Sequence, residues 1–249
     1  MNGPASILGI IGGSGLTRLD ALRVERQEIV NTPYGDPSAP LTFGRFDGHA
    51  VVFLPRHGGA HTIPPHRVNY RANLWALKEA GVTRVVGMAA VGGISTRMPP
   101  GALRVPDQVI DYTWGREHTL FETDLRSVTH IDFTEPYCGE LRSGLVEAAA
   151  EVGVEVGDGG TYAATQGPRL ESAAEIKKLE RDGCDMVGMT GMPEAALARE
   201  LGLCYASLAL SVNWAAGKGD GPITMMEIER HLALGMAEAR KVLAAVAAR

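Results

Sequence analysis

The sequence has few cysteines, no clustered positive charge and no long apolar segment. Its 249 residues include three cysteines, Cys138, Cys184 and Cys204, which lie far apart and form no Cys-x-x-Cys pair. The spacing therefore indicates neither a disulfide framework nor a thiolate zinc site, and we expect a reduced, cytoplasmic setting. Glycine or charge interrupts every apolar run well before it could span a membrane, and the N-terminus has no basic targeting region. We therefore expect no membrane contact.

Charge and ligand spacing exclude two further kinds of partner. The formal net charge is -5 and no stripe of lysine and arginine is present, so we expect no nucleic acid partner. His57, His61 and His66 lie close in sequence, but Pro64 and Pro65 interrupt the segment and no acidic residue completes a ligand set. We therefore expect no metal site.

Short apolar runs alternate with segments of helical periodicity, which is typical of an α/β fold. No repeat or low-complexity stretch divides the chain, so we expect one domain over residues 1–249. Strands are predicted over residues 6–11, 50–54, 84–90, 162–165, 186–189 and 205–212, and helices over 66–80, 173–181, 193–201 and 224–248. Several strands end in glycine-rich or polar segments, where ligand sites collect in open α/β sheets.

Two of these strand ends are candidates for binding an anion. Residues 12–15, Gly-Gly-Ser-Gly, can present backbone N–H groups, and Ser14 adds a hydroxyl donor, although the spacing matches no dinucleotide or P-loop motif. Arg56 carries a fork of donors that suits phosphate oxygens, and His57 can donate a further hydrogen bond. Taken alone, a tight turn explains the first segment equally well. An exposed arginine and a buried structural histidine are the favoured explanation of the second segment when it is taken alone.

Seven short motifs occur in order along nearly the whole chain. They are GIIGGSG at 9–15, RHG at 56–58, HTIP at 61–64, VNYRAN at 68–73, EPYC at 135–138, GPR at 167–169 and MPE at 192–194. Together they resemble the methylthioadenosine phosphorylase and trimeric purine nucleoside phosphorylase family. The resemblance implies an α/β domain with a mixed, partly barrel-like central sheet flanked by helices. It also implies a homotrimer or hexamer, with inorganic phosphate as co-substrate and no cofactor.

The resemblance also assigns residues to the site. Ala89 stands where the family often has threonine, so one hydroxyl donor is missing. Met189 matches the residue that lies against the ribose, and His130 matches a histidine that a neighbouring subunit contributes near the 5′ group. The phosphate contacts that the resemblance implies are Ser14, Arg56, His57, the backbone N–H of Ala90, and Thr190.

The chain departs from the methylthioadenosine pattern after the strand at 205–212. Where that pattern has Asp-x-Asp, this sequence has Asn213, Trp214 and Ala215. Asn213 cannot act as a general acid, but its amide can donate to O6 or N7 of a 6-oxopurine. Glu171, next to Leu170, can accept from the N1–H of such a base. We therefore expect a 6-oxopurine, with Asn213 as a strand cap and Glu171 in solvent as the structural alternative.

Met225 and Met226 open the last helix, in the region that lines the 5′ pocket in the family. Their apolar side chains suit a methylthio group, whereas His231 is a possible partner for a 5′-hydroxyl. We predict a pentosyltransferase that converts S-methyl-5′-thioinosine and phosphate to hypoxanthine and 5-methylthioribose 1-phosphate, with Arg56, His57 and Asn213 as its catalytic residues. The alternatives are phosphorolysis of inosine or guanosine, methylthioadenosine phosphorolysis with relaxed base specificity, a nucleoside hydrolase, and a non-catalytic nucleoside-binding module.

Overall fold

The computed structural model describes residues 7–16, 19, 21–123 and 127–249. The first predicted strand, over residues 6–11, starts at Ser6, which lies outside the described residues. The strands are β1 (Ile7–Gly12), β2 (Leu22–Glu28), β3 (Leu41–Phe46), β4 (His49–Pro55), β5 (Val82–Gly93), β6 (Leu103–Val105), β7 (Gln108–Asp111), β8 (Val156–Asp158), β9 (Thr161–Ala164), β10 (Met186–Gly188) and β11 (Cys204–Trp214). The helices are α1 (Tyr70–Glu79), α2 (Gly139–Glu151), α3 (Ala173–Arg181), α4 (Gly191–Glu200) and α5 (Met225–Ala247), with a single 3-10 turn at Pro65–Arg67.

All described strands belong to one mixed sheet that branches at β5. Along the main path the strand order is β2-β3-β4-β1-β5-β10-β9-β7, while β11 pairs with β5 and β6, and β6 pairs with β8. β5 runs parallel to β1 and β11 and antiparallel to the short β10. The branching brings the ends of several strands to one region of the molecule.

Helices cover both faces of the sheet. On one face, α2 and α5 bury Leu145 and Leu243 against β11, with no exposed surface on either side chain. On the other face, α1 and α4 contribute Leu74 and Leu197 to a core that includes Val85 of β5. Each fully buried leucine contributes about 2 kcal/mol through removal of apolar surface from water. The predicted α/β class with a mixed central sheet is confirmed.

The predicted helix over residues 66–80 is divided in two. The 3-10 turn ends at Arg67, and α1 starts only after Asn69, whose side-chain oxygen accepts from the Ala72 N–H at 3.1 Å. A side chain that satisfies one of the free N–H groups of the first helical turn favours a helix start at that point. The apolar periodicity continues across this boundary and therefore conceals it.

Two cysteines form a disulfide, so the expectation of no disulfide was wrong. Cys138 and Cys204 are bonded, with Cα atoms 5.1 Å apart, while Cys184 is free and buried. The pairing spans 66 residues, and sequence spacing gives no sign of it. The segments that carry the two cysteines lie side by side, since the N–H of Cys138, just before α2, donates to the carbonyl of Tyr205 in β11 at 2.8 Å. Cysteine usage therefore no longer argues for a reducing setting.

The longest helix, α5, has 23 residues but carries charged side chains throughout its length. Within the described ranges, no helix has both the length and the apolar character that a membrane crossing requires.

Candidate active site

The sheet places the two candidate anion segments side by side. β1 and β4 are parallel, and Gly12 at the end of β1 lies opposite Pro55 at the end of β4. The backbone N–H of Arg56 donates to the carbonyl of Gly12 at 2.9 Å, which joins the segments that follow the two strands. Ser14 and His57 therefore emerge at the same edge of the sheet.

A cavity of about 490 Å³ opens at this edge. This volume suits a small-molecule ligand. β5 and β11 form its floor, and their register shifts between Ser211 and Asn213. Such an irregularity changes the direction of the side chains that follow it. Among the predicted site residues, the cavity is lined by Ser14, Arg56, His57, Ala90, Leu170, Glu171, Met189, Thr190, Asn213, Ala215 and Met225.

Three predicted site residues do not line this cavity in the described part of a single chain. Trp214 lines a smaller adjoining pocket that also contains His231. Met226 points outward with 76% of its surface exposed. His130 lies on an exposed loop, so its predicted role depends on a second subunit and stays a prediction.

Arg56 lines the cavity, and its guanidinium makes three hydrogen bonds within the protein. Its Nε and Nη2 each donate to the carboxylate of Glu194 at 2.7 Å, and Nη1 donates to the Met88 carbonyl at 2.8 Å. Both members of the pair are buried, with 1% and 0% of the side chain exposed. Burial alone would lower the pKa of Arg56, but the charge and hydrogen bonds of Glu194 raise it above its ordinary value. Arg56 is therefore a permanent, fixed cation.

His57 is neutral at neutral pH. Burial and the neighbouring charge of Arg56 lower its pKa to about 4, against a smaller opposing effect of its hydrogen bond to Ile63. The ring Nδ1 lies 2.8 Å from the Ile63 carbonyl, and since a carbonyl only accepts, Nδ1 carries the proton. Nε2 is then an acceptor, suited to a P–OH group, whereas the sequence alone had suggested a donor to phosphate oxygen.

The opposite end of the cavity carries the candidate base contacts. Glu171 accepts from the Thr165 hydroxyl at 2.7 Å through Oε1, which fixes the carboxylate beside the cavity. Asn213 uses Nδ2 to donate to the Trp214 carbonyl at 2.7 Å. An amide nitrogen has two N–H groups, so one of them remains for a ligand.

Sequence reasoning missed Arg116, which joins two backbone segments next to the cavity. Its guanidinium donates to the carbonyls of Thr165 and Gln166 on one side, and to those of Met189 and Met192 on the other. Arg116 lies in a loop with no motif around it, so no local signal identifies it. Glu194 was part of a recognised motif, but its contact with Arg56 joins residues too distant in sequence to be predicted.

The mouth of the cavity is apolar and open. Leu170 and Met225 line it and are 47% and 65% exposed. Behind them, Leu232 of α5 packs so closely on Gly15 that a Cβ on residue 15 would lie 2.5 Å from the leucine side chain.

Over the described residues, no cluster of three or more acidic, histidine or cysteine side chains could hold a metal ion.

A family model described as the phosphorylase superfamily matches residues 7–248. The chain belongs to the phosphorylase superfamily. Its relatives are nucleoside phosphorylases, which are pentosyltransferases, so the predicted enzyme class is confirmed.

Curated relatives of this phosphorylase cover nearly its full length. A probable S-methyl-5′-thioinosine phosphorylase from Pseudomonas syringae pv. tomato is 56% identical, over 97% of this chain and 98% of that protein. A probable 6-oxopurine nucleoside phosphorylase from Dictyoglomus turgidum is 46% identical, over 96% of this chain and 90% of that protein. Among solved structures, methylthioadenosine phosphorylase from Schistosoma mansoni in complex with adenine has a TM-score of 0.94 at 33% identity, covering 98% of this chain and 91% of that chain.

Proposed function

We propose that this phosphorylase converts S-methyl-5′-thioinosine and inorganic phosphate to hypoxanthine and 5-methylthioribose 1-phosphate, a purine salvage reaction in the cytoplasm. The observation that carries the proposal is one cavity with two differently equipped ends. A fixed arginine lies at one end, and an amide with a carboxylate lies at the other. The names of the relatives support the same assignment.

Phosphate binds at the Arg56 end. Of the five N–H groups of an arginine, three are already used by Glu194 and Met88, and two remain for phosphate oxygens. Ser14, Thr190 and the backbone N–H of Ala90 supply further donors, and the neutral His57 accepts from the phosphate O–H. Phosphate held in this way is positioned for attack on the anomeric carbon, which replaces an unfavourable bimolecular encounter.

The reaction breaks the C1′–N9 bond, and its electron pair moves to the purine. Positive charge develops on the ribose, where the bound phosphate stabilises it before one of its oxygens bonds to C1′. Negative charge develops on the base, where the free N–H of Asn213 donates to N7 or O6. The phosphate loses its O–H proton to water as it becomes the sugar phosphate, and the purine anion takes up a proton from water to give neutral hypoxanthine. The reaction requires no covalent enzyme intermediate.

The base end favours a 6-oxopurine. Hypoxanthine carries an N1–H that can donate a hydrogen bond to the Glu171 carboxylate. Adenine carries an unprotonated N1, so two acceptors would face each other. Leaving buried polar groups without partners discriminates by up to about 10⁴-fold. Hydrogen bonding from Thr165 keeps the Glu171 carboxylate in place for this contact.

The 5′ end favours methylthio over hydroxyl. This part of the cavity has an apolar lining, formed by Ile223, Met225, Ile228 and Leu232. Such a lining suits a thioether and leaves a hydroxyl without a hydrogen-bond partner. Phosphorolysis of inosine or guanosine is the second candidate, because His231 lies in the adjoining pocket and a relative at 46% identity is a probable 6-oxopurine nucleoside phosphorylase.

The functional unit that we propose is a homotrimer or hexamer. The exposed Leu170, Met225 and Met226 at the mouth of the cavity suit contact with a neighbouring subunit. In such an assembly, His130 of the neighbouring subunit would approach the 5′ group.

The test is a side-by-side assay of methylthioinosine, methylthioadenosine, inosine and adenosine, with and without phosphate. We expect methylthioinosine to have the highest kcat/KM and every reaction to require phosphate. Base release without phosphate would identify a hydrolase instead, and a preference for methylthioadenosine would remove the roles given to Asn213 and Glu171.

A further inference from the structure

Glu194 is a carboxylate with no exposed surface, buried behind the cavity instead of lining it. It accepts from Arg56 through both oxygens, and Oε1 also accepts from the Tyr205 hydroxyl at 2.8 Å. We propose that Glu194 and Tyr205 are positioning residues for phosphate, because they fix the Arg56 guanidinium with its two remaining N–H groups toward the co-substrate. The inference rests on the proposed phosphorolytic function.

Stability alone does not explain a buried ion pair at this position. Removing both charges from water costs several kcal/mol per ion, and well-packed apolar residues of the same volume stabilise a core equally well. The pair instead provides a defined orientation. A carboxylate that accepts from Nε and Nη2 together fixes the plane of the guanidinium, which a single contact would leave free to rotate.

The surrounding backbone leaves this arrangement little freedom. A Cβ on Gly87 of β5 would lie 2.3 Å from the Tyr205 hydroxyl and 2.7 Å from Oε1 of Glu194, so the strand packs directly on the pair. The Met88 carbonyl, one residue further along β5, accepts from Nη1. The guanidinium is therefore held by Glu194 on one edge and by the Met88 carbonyl of β5 on another.

The same helix also carries a second candidate phosphate contact. Thr190 is the N-cap residue of α4, and Glu194 lies in the first turn of that helix. Met192 between them has a non-helical backbone, so a shift of Glu194 would displace Arg56 through their shared hydrogen bonds and would not necessarily move Thr190. We accordingly expect its loss to affect phosphate far more than the nucleoside.

The test is the isosteric Glu194→Gln, compared with Tyr205→Phe and with Glu200→Gln as the matched control. Glu200 lies on the same helix, and its carboxylate accepts from Thr119 and from the Leu120 N–H, away from the cavity. In Glu194→Gln the new amide N–H faces a guanidinium N–H, so the paired hydrogen bonds from Nε and Nη2 of Arg56 are lost. The quantities to measure are kcat, the KM of phosphate and the KM of the nucleoside. Phosphate binding without nucleoside is to be measured by calorimetry.

We expect Glu194→Gln to raise the phosphate KM and Kd about tenfold or more, the scale of a lost hydrogen bond to a charged group, and to leave the nucleoside KM unchanged. Tyr205→Phe should raise the phosphate KM by about threefold, and Glu200→Gln should not alter it. Equal increases in both KM values, or no increase, would refute the positioning role. If Glu194→Gln does not fold, Tyr205→Phe decides by the same criterion. A wild-type reaction that is independent of phosphate would instead refute the proposed function itself.

Discussion

At the Arg56 end of the cavity, the side chains are buried and their hydrogen bonds are already made within the protein. Arg56, Glu194 and Tyr205 have at most 3% of their surface exposed. At the Met225 end, by contrast, Leu170 and Met225 at the mouth of the cavity are 47% and 65% exposed.

This difference follows the chemistry of the two ligands that we propose. Phosphate is small and rigid, so a site for it can be completely formed before it binds. A nucleoside is larger and must enter through an opening, so the walls around its 5′ group cannot be closed in a single free chain. Changes at the phosphate end should therefore alter both stability and phosphate use, and changes at the open mouth around the 5′ group should alter specificity alone.

Arg56→Ala should produce the largest effect at the phosphate end. The substitution removes the guanidinium and leaves the buried Glu194 carboxylate without its partner. We therefore expect kcat/KM for phosphate to fall by about 10²–10³-fold. The free energy of unfolding should fall by about 3–5 kcal/mol. Arg45→Ala, which breaks an exposed pair with Glu25, is the control and should cost less than about 1 kcal/mol. Unaltered phosphate kinetics in Arg56→Ala would place phosphate elsewhere.

Asn213→Asp tests the base end. A carboxylate in place of the amide repels O6 of a 6-oxopurine, so we expect the preference for hypoxanthine over adenine nucleosides to fall by about 10²-fold. Adding Ala215→Asp should move the preference further toward the 6-amino base, although Ala215 is buried and a charge there also lowers stability. Asn213→Ala is the control, since it removes the donor without adding a charge. A double variant that still accepts only hypoxanthine nucleosides would contradict the base assignment.

His57 makes the stability of the phosphate end depend on pH. Its pKa is about 4 when folded and 6.5 when unperturbed, so between these values the unfolded chain binds more protons. Stability should therefore fall as pH decreases from about 6.5 to about 4, by a total of about 3 kcal/mol from this residue. His57→Asn should flatten that part of the curve in chemical denaturation, whereas His49→Asn on the surface should not. Parallel curves for wild type and His57→Asn would contradict the neutral, buried ring.

Met225→Ala should give the smallest effect, confined to the 5′ group. Loss of apolar contact should reduce the preference for a methylthio over a hydroxyl nucleoside by about three- to tenfold. The melting temperature should not change, because the side chain is 65% exposed. Met226, its neighbour, does not line the cavity, so Met226→Ala is the matched control. An equal loss in both variants would show that the effect comes from the helix start and not from contact with the substrate.

The sequence predicts elements best where local chemistry sets their limits. Helix α3 has the predicted bounds, and a capping box between Ser172 and Glu175 starts it. Strand β2 could not be predicted, because six of its seven residues are exposed and no apolar alternation marks it. Helix α2 begins at Gly139 and has only weak amphipathic character, so its pattern does not indicate a helix.

The candidate site shows the same limit. Ser14 and Arg56 follow strands and Asn213 lies at the end of β11. Parallel pairing brings such ends together, so their convergence could be anticipated from the order of elements. The contacts of Glu194 with Arg56 span 138 residues, and those of Arg116 with Met192 span 76. Such contacts depend on tertiary packing, which no local pattern encodes.

The branching of the sheet at β5 has a consequence for the dynamics of the whole site. This strand pairs with β1, β11 and β10, and its residues contact both ends of the cavity. Opening any one of these ladders would disturb the other two, so we expect the β5 amide protons that are paired within the ladders to exchange with solvent only when the domain unfolds as a whole. We therefore expect the central strand to belong to the slowest-exchanging part of the molecule.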